Sequence, residues 1–345
     1  MKRVRAISMA ASPLLVLGLA ACGGSSGKSS EGGSSEGGKV GYSESFLTDA
    51  FQVQLVKQLG AQAKAQSVDL LPATDAGGDA AKQNSDITTL LGQGVKGLIV
   101  VPVDSKAVVP AIEQANKRNV PVVSVDLGAV SGGIAMVVRA DNVYMGEAGC
   151  QHMGKQLKGK GTVLNLQGDL ATSNGQDRSK GFVDCMSSEF PDIKVISKPM
   201  EWKPEKCTEA AQTVLSTQQI NGIFMGSESV CLSGVQKVLK TQKKLTQADS
   251  AGHIVSVGID GSPAALDAVR AGTLDAVISQ PLDLYAKYGI SYIKEAMAGT
   301  KFEAGPTDHD STIVKVGESF EDRLPSPTVT KENVDDKSLW GNGSS

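Results

Sequence analysis

Aromatic side chains are scarce in this chain, fourteen among 345 residues or 4%. A core built from it must rely on Val, Ile, Leu and Ala, and an aromatic near a polar loop carries more information than usual. A basic excess is also missing, with 34 Lys and Arg against 37 Asp and Glu. Phosphates would go unneutralised, which argues against nucleic acid as a partner. Only three histidines occur, His152, His253 and His309, and none stands in a metal spacing such as HExxH. Gly226-Ser227-Glu228-Ser229 lacks the second glycine of a GxSxG elbow, and no GxGxxG follows the first strand. An enzyme, a cofactor and a metal site are therefore not expected. What is there, 40% hydrophobic and 21% charged, is the balance of a folded globular protein whose length suggests two domains.

The first residues stand apart. Lys2, Arg3 and Arg5 precede an apolar run from Ala6 to Ala21, the layout of a secretory signal. The run is shorter than the ~20 residues that span a bilayer, and it contains Pro13. It ends in Leu19-Ala20-Ala21-Cys22, which resembles the bacterial lipobox and implies a diacylglycerol on Cys22. Removing residues 1–21 takes three cations and no acid, so the net charge moves from −3 to −6. Residues 22–38 beyond it are a Gly/Ser tether with a reach of about 20–24 Å. Lipid, tether and body together describe a protein held at a membrane through an N-terminal lipid only.

From Lys39 the pattern alternates. Apolar runs predict strands at 39–43, 68–72, 97–102, 120–126 and 134–139, then at 162–167, 193–198, 222–226, 254–260 and 274–280. Segments of helical period lie between them, at 49–66, 79–92, 105–118, 143–158, 174–189, 204–217, 229–241, 263–271 and 282–298. Two sets of five strands imply an α/β protein with two doubly wound parallel-sheet lobes. The fourth strand of each set ends in an aspartate, Asp126 and Asp260. Ligands bind outside the carboxyl ends of such strands, so two facing sheets would aim both acids into one cleft. Asp104, before Ser105 and a helix, reads instead as a helix cap.

Five segments in a consistent order carry a resemblance: Leu98–Asp104 (LIVVPVD), Val120–Asp126 (VPVVSVD), Ala140–Val143 (ADNV), Leu166–Phe182 and Val257–Ser262 (VGIDGS). On these the chain resembles the type I periplasmic sugar-binding proteins of the ribose-binding-protein family, from about Lys39 to Gly317. The resemblance implies a hinge of three crossovers. Lobe one would comprise 39–140 plus 281–311, lobe two 141–280 plus 312–320. The tail 321–345, with Pro325, Pro327 and Trp340, would pack across the surface or stay loose.

The resemblance also implies a ligand set. Asp126 and Asp260 match acceptors of sugar hydroxyls, and Gln280 a glutamine near the third crossing. Trp202 falls on an aromatic that stacks on the ring. Phe51, with Gln52 beside it, resembles the first-lobe aromatic, and Asn142 falls at the first hinge. Gln176 and Ser227 occupy ligand positions where the family has Arg and Asn, and Leu127 stands where it often has Arg. With those donors lost, ribose itself is not implied. The expected function is capture of a small neutral sugar or polyol by the monomeric, extracytoplasmic component of an ABC importer, and delivery to its permease. A ring with many hydroxyls wants an aromatic on its apolar face and charged acceptors at its rim. Two alternatives stay open: a receptor for a signalling or chemotaxis system, and a binder of a cationic ligand such as an amino sugar, motivated by the acids including Glu44 and Glu228.

Four cysteines remain in the body. In a 2-1-3-4-5 sheet with right-handed crossovers, the helices at 143–158 and 174–189 share one face, and those at 204–217 and 229–241 share the other. An even number in an exported body suggests two disulfides, and this placement pairs Cys150 with Cys185 and Cys207 with Cys231; four free buried thiols are the alternative.

Overall fold

The computed structural model describes residues 38–343. The signal, Cys22 and the tether up to residue 37 lie outside the described residues. The first lobe runs β1 (Lys39–Glu44), α1 (Ala50–Ala65), β2 (Asp69–Leu70), β3 (Thr74–Asp75), α2 (Ala80–Gly92), β4 (Gly97–Val100), α3 (Val109–Lys117), β5 (Val122–Val125) and β6 (Met136–Ala140). The chain then crosses to the second lobe. That lobe runs α4 (Asn142–Gln156), β7 (Gly161–Gln167), α5 (Ser173–Glu189), β8 (Ile193–Pro199), α6 (Pro204–Thr217), β9 (Gly222–Met225), α7 (Glu228–Thr241), β10 (Val255–Asp260), α8 (Pro263–Ala271) and β11 (Ala276–Ser279). It returns to lobe one for α9 (Leu282–Met297), β12 (Gly305–Pro306), β13 (Thr312–Val316) and β14 (Ser319–Leu324), and crosses a last time to β15 (Thr328–Val329).

The central strands of both sheets are parallel, in the order β2-β1-β4-β5-β6 in one lobe and β8-β7-β9-β10-β11 in the other. Strands such as Gly97–Val100 and Val122–Val125 are buried at every residue, because helices cover both faces. The helices start where short polar side chains satisfy free backbone N–H groups. Asp49 accepts from Gln52 N, Asp141 from Tyr144 N and Ser262 from Ala265 N. Asp104 does the same for Lys106 and Ala107, as expected of a cap.

The last part of the chain departs from expectation. Residues 312–320 do not join lobe two. β13 and β14 extend the lobe-one sheet, with Glu321–Leu324 parallel to Val137–Ala140. β6 would otherwise be an unpaired edge, and β14 covers it. The third crossing therefore falls at Pro325–Pro327, where two prolines favour extended backbone. Of the two alternatives for the tail, residues 321–343 follow the packed one: β15 pairs antiparallel with β11, and Val334, Leu339 and Trp340 are buried.

Tyr285 ties two crossings together. Its hydroxyl accepts from Ala140 N at 2.7 Å and donates to Gln280 Oε1 at 2.9 Å. The lobes touch across the cleft: Arg139 of β6 reaches Asp177 of α5 at 2.6 Å, and Ser173 N donates to Ser105 Oγ at 3.0 Å. The two disulfides join Cys150 to Cys185 and Cys207 to Cys231, with Cα atoms 6.2 and 5.3 Å apart.

Candidate functional site

Asp126 follows the last residue of β5 with a positive φ of 65°, which turns its carboxylate away from the strand direction. It is fully buried and accepts from Gln52 Nε2 at 3.0 Å and from Asn174 Nδ2 of the opposite lobe at 2.9 Å. Since the carboxylate accepts, each amide must present nitrogen to it. Their oxygens, Gln52 Oε1 and Asn174 Oδ1, are then buried with no protein partner. Burial pushes the Asp126 carboxyl up to about 6, against the opposing pull of Arg178 and Gln52.

Asp260 is the counterpart at the end of β10, with φ 138°. Ser227 and Ser229 donate to Oδ2 at 2.6 and 2.5 Å, and Gln280 Nε2 to Oδ1 at 2.7 Å. Arg178 Nη1 stands 3.4 Å from Oδ1. The same guanidinium donates through Nε to Asn142 Oδ1 at 2.7 Å and through Nη1 to the Gly226 carbonyl at 2.8 Å. Arg178 is thus the buried cation between two acids. Asp49 on the cleft rim is pushed up to about 7, by burial first.

Trp202 has φ 52° in the loop between β8 and α6. Its ring lies on the backbone of Gly168, where an added Cβ would meet the indole at 2.0 Å, so only glycine fits beneath it. The Arg178 guanidinium sits 5.8 Å from the ring centroid. Both lobes close around a cavity holding about 330 Å³ of atom-free space, opening included.

Of the residues singled out in the sequence, Phe51, Gln52, Asp126, Trp202, Ser227, Asp260 and Gln280 line this cavity. Gln176 does not. Its side chain is exposed and donates to the Leu170 carbonyl, because it lies on the outer side of α5, away from Asn174 and Arg178. Asn142 stands behind the wall and acts through Arg178. Glu44 and Glu228 are also outside. Glu44 accepts from Tyr42, Ser45 N and Ser45 Oγ, and Glu228 from Gly261 N, Ser262 N and Ser262 Oγ. Burial pushes both up to about 8, and their hydrogen bonds organise the loops beside the cleft rather than its lining.

Arg178, Asn174, Asp49, Phe46 and Ser229 line the cavity without having been singled out as ligand contacts. A signal existed for them: all follow the carboxyl ends of strands, in the loops and first helical turns where doubly wound sheets bind. Among the described residues there is no cluster of acids, histidines and cysteines that could hold a metal, and no helix long and apolar enough to cross a membrane.

Two α/β lobes, three crossings and a buried cleft of acids, amides and one indole define a hinged solute-binding protein. The chain belongs to the periplasmic binding protein domain family, whose pattern matches residues 40–301. It is 27% identical over 331 residues to the xylitol-binding protein of Mycolicibacterium smegmatis, spanning 95% of this chain and 86% of the relative. It is 28% identical over 265 residues to the ribose import binding protein of Bacillus subtilis, spanning 76% and 83%. A solved ABC transporter solute-binding protein from Mycobacterium smegmatis with bound glycerol superposes with a TM-score of 0.76 at 25% identity, covering 89% of this chain and 98% of its own. One from Bacillus halodurans with bound myo-inositol shares the fold, with TM-score 0.75 at 20% identity, covering 89% and 99%. The chain is accordingly a two-lobed periplasmic binding protein, and the relatives it matches are named as binding proteins.

Proposed function

We propose that the protein captures a neutral monosaccharide or polyol between its lobes and delivers it to an ABC permease, tethered to the membrane through a lipid on Cys22. The observation that carries this reading is the surplus of acceptors. Asp126, Asp260, Gln52 Oε1 and Asn174 Oδ1 converge on one cavity, and the two amide oxygens lack any protein donor. Buried acceptors left unpaired are costly, and several hydroxyls on a small carbon frame would satisfy them together. The Trp202 face supplies the apolar contact such a frame presents on one side. Arg178 is engaged by Asn142, Gly226 and Asp260, which leaves it poorly placed to clamp a carboxylate or phosphate. The relatives named for xylitol and ribose support the same class.

A thermal-shift and calorimetric screen of xylitol, ribose, allose, myo-inositol, glycerol, gluconate and a sugar phosphate tests the reading. A neutral polyhydroxylated compound at 100 times its Kd should stabilise the fold by about 2.7 kcal/mol. Tighter binding of gluconate or the phosphate than of every neutral compound would overturn it.

A further inference from the structure

The C-terminal segment passes directly behind the site. After β15, Val334 and Leu339 are buried in the core of lobe two. Arg270 of α8 holds the segment through Asp335 Oδ1 at 2.8 Å and Asn342 Oδ1 at 2.6 Å. Gly341 passes so close to the Asp260 loop that an added Cβ would stand 2.4 Å from the Gly261 carbonyl oxygen. This course delivers Trp340, 6% exposed, to the seam between the lobes. Its Nε1–H donates to the backbone carbonyl of Asp260 at 2.7 Å. Its ring meets Phe51 edge to face, with centroids 5.7 Å apart. Phe51 precedes Gln52, which holds Asp126. One indole therefore touches the peptide of one cleft aspartate and the neighbour of the residue that orients the other.

We propose that the C-terminal segment is a strap and Trp340 a positioning residue for ligand binding. It holds Asp260 in a backbone conformation that residues other than glycine adopt at a cost, φ 138°, and registers lobe one against it through Phe51. The carbonyl of Asp260 also accepts from Gln280 N at 2.9 Å, so the strap shares this duty with the hinge rather than replacing it. The inference rests on the reading of the cleft as the ligand site.

The test compares Trp340→Phe, which keeps a ring and removes the donor, with Val334→Ala, a core truncation in the same segment away from the cleft. Hydrogen exchange on the ligand-free full-length protein should show faster exchange of the Gly261, Ser262 and Gln280 amides in Trp340→Phe only. Xylitol and ribose are the affinity probes. Their Kd should rise about three- to tenfold in Trp340→Phe, the weight of one hydrogen bond, and stay within about twofold in Val334→Ala although its Tm falls. Wild-type exchange and affinity in Trp340→Phe, or equal losses in both variants, would overturn the strap. Asp126→Ala is measured beside them. If it binds the probes like wild type, the reading of the cleft fails, and the exchange experiment still decides the strap by itself.

Discussion

Asp126 shows how one residue makes stability and binding respond to pH in opposite directions. Its carboxyl is raised by burial from 3.8 to about 6, and those of Glu44 and Glu228 from 4.5 to about 8. A carboxyl with a higher pKa folded than unfolded binds its proton more tightly in the fold. The stability it contributes is full below its unfolded value and is lost as pH rises through the folded one. The Tm of the ligand-free protein should therefore fall as pH rises from about 4 to about 8, the range between the unfolded and folded values of these three groups. Affinity for a neutral sugar should run the other way and weaken below about pH 6, where Asp126 loses its charge as an acceptor. Scanning calorimetry and titration calorimetry across that range read the two trends, and parallel trends would contradict the assignment. Substitution gives a second test. Trp202→Ala should weaken binding by at least about 1 kcal/mol, and Asp126→Ala and Asp260→Ala by about 1–3 kcal/mol each, with folded far-ultraviolet spectra. Trp202 and Trp340 are the only tryptophans, so any fluorescence response that survives in Trp202→Ala comes from the seam.

At the scale of elements, the two disulfides cross-link neighbouring helices on opposite faces of one sheet. Each pair is legible once the strand order is, because right-handed crossovers place α4 beside α5 and α6 beside α7. Cys150–Cys185 closes 35 residues and Cys207–Cys231 closes 24. Replacing either pair with alanine should lower unfolding free energy by about 3–4 kcal/mol in the chain-entropy model. Urea titration with unchanged slope checks this, and losses below about 1 kcal/mol for both pairs would show that helix packing already supplies the restraint. β14 teaches the opposite lesson. Its sequence, Ser319-Phe320-Glu321-Asp322-Arg323-Leu324, is half charged and shows no apolar run, so it does not read as a sheet strand. Glu321 and Asp322 are nevertheless buried, because Arg139 pairs with the first, and Tyr292, His309 and Ser311 donate to the second.

At the scale of the molecule, the lipid proposed on Cys22 is open to a fractionation test. Cys22→Ala expressed in the native host should appear in the soluble fraction or remain unprocessed, whereas wild type sediments with membranes; identical soluble behaviour would remove the anchor. The alternation of apolar runs with helical periods determined by itself the α/β class, the two sets of five strands and the two aspartates at their ends, since these depend on local period and chain direction. The companions of those aspartates were decided only by the tertiary structure. Asn174 reaches Asp126 from the other lobe, Gln176 turns outward two residues before Arg178, and Trp340 arrives from far along the chain. No local pattern records which side of a helix faces a cleft formed by a second lobe. Long-range pairing settled that, when β14 closed the edge of one sheet and β15 carried the remaining chain to the other.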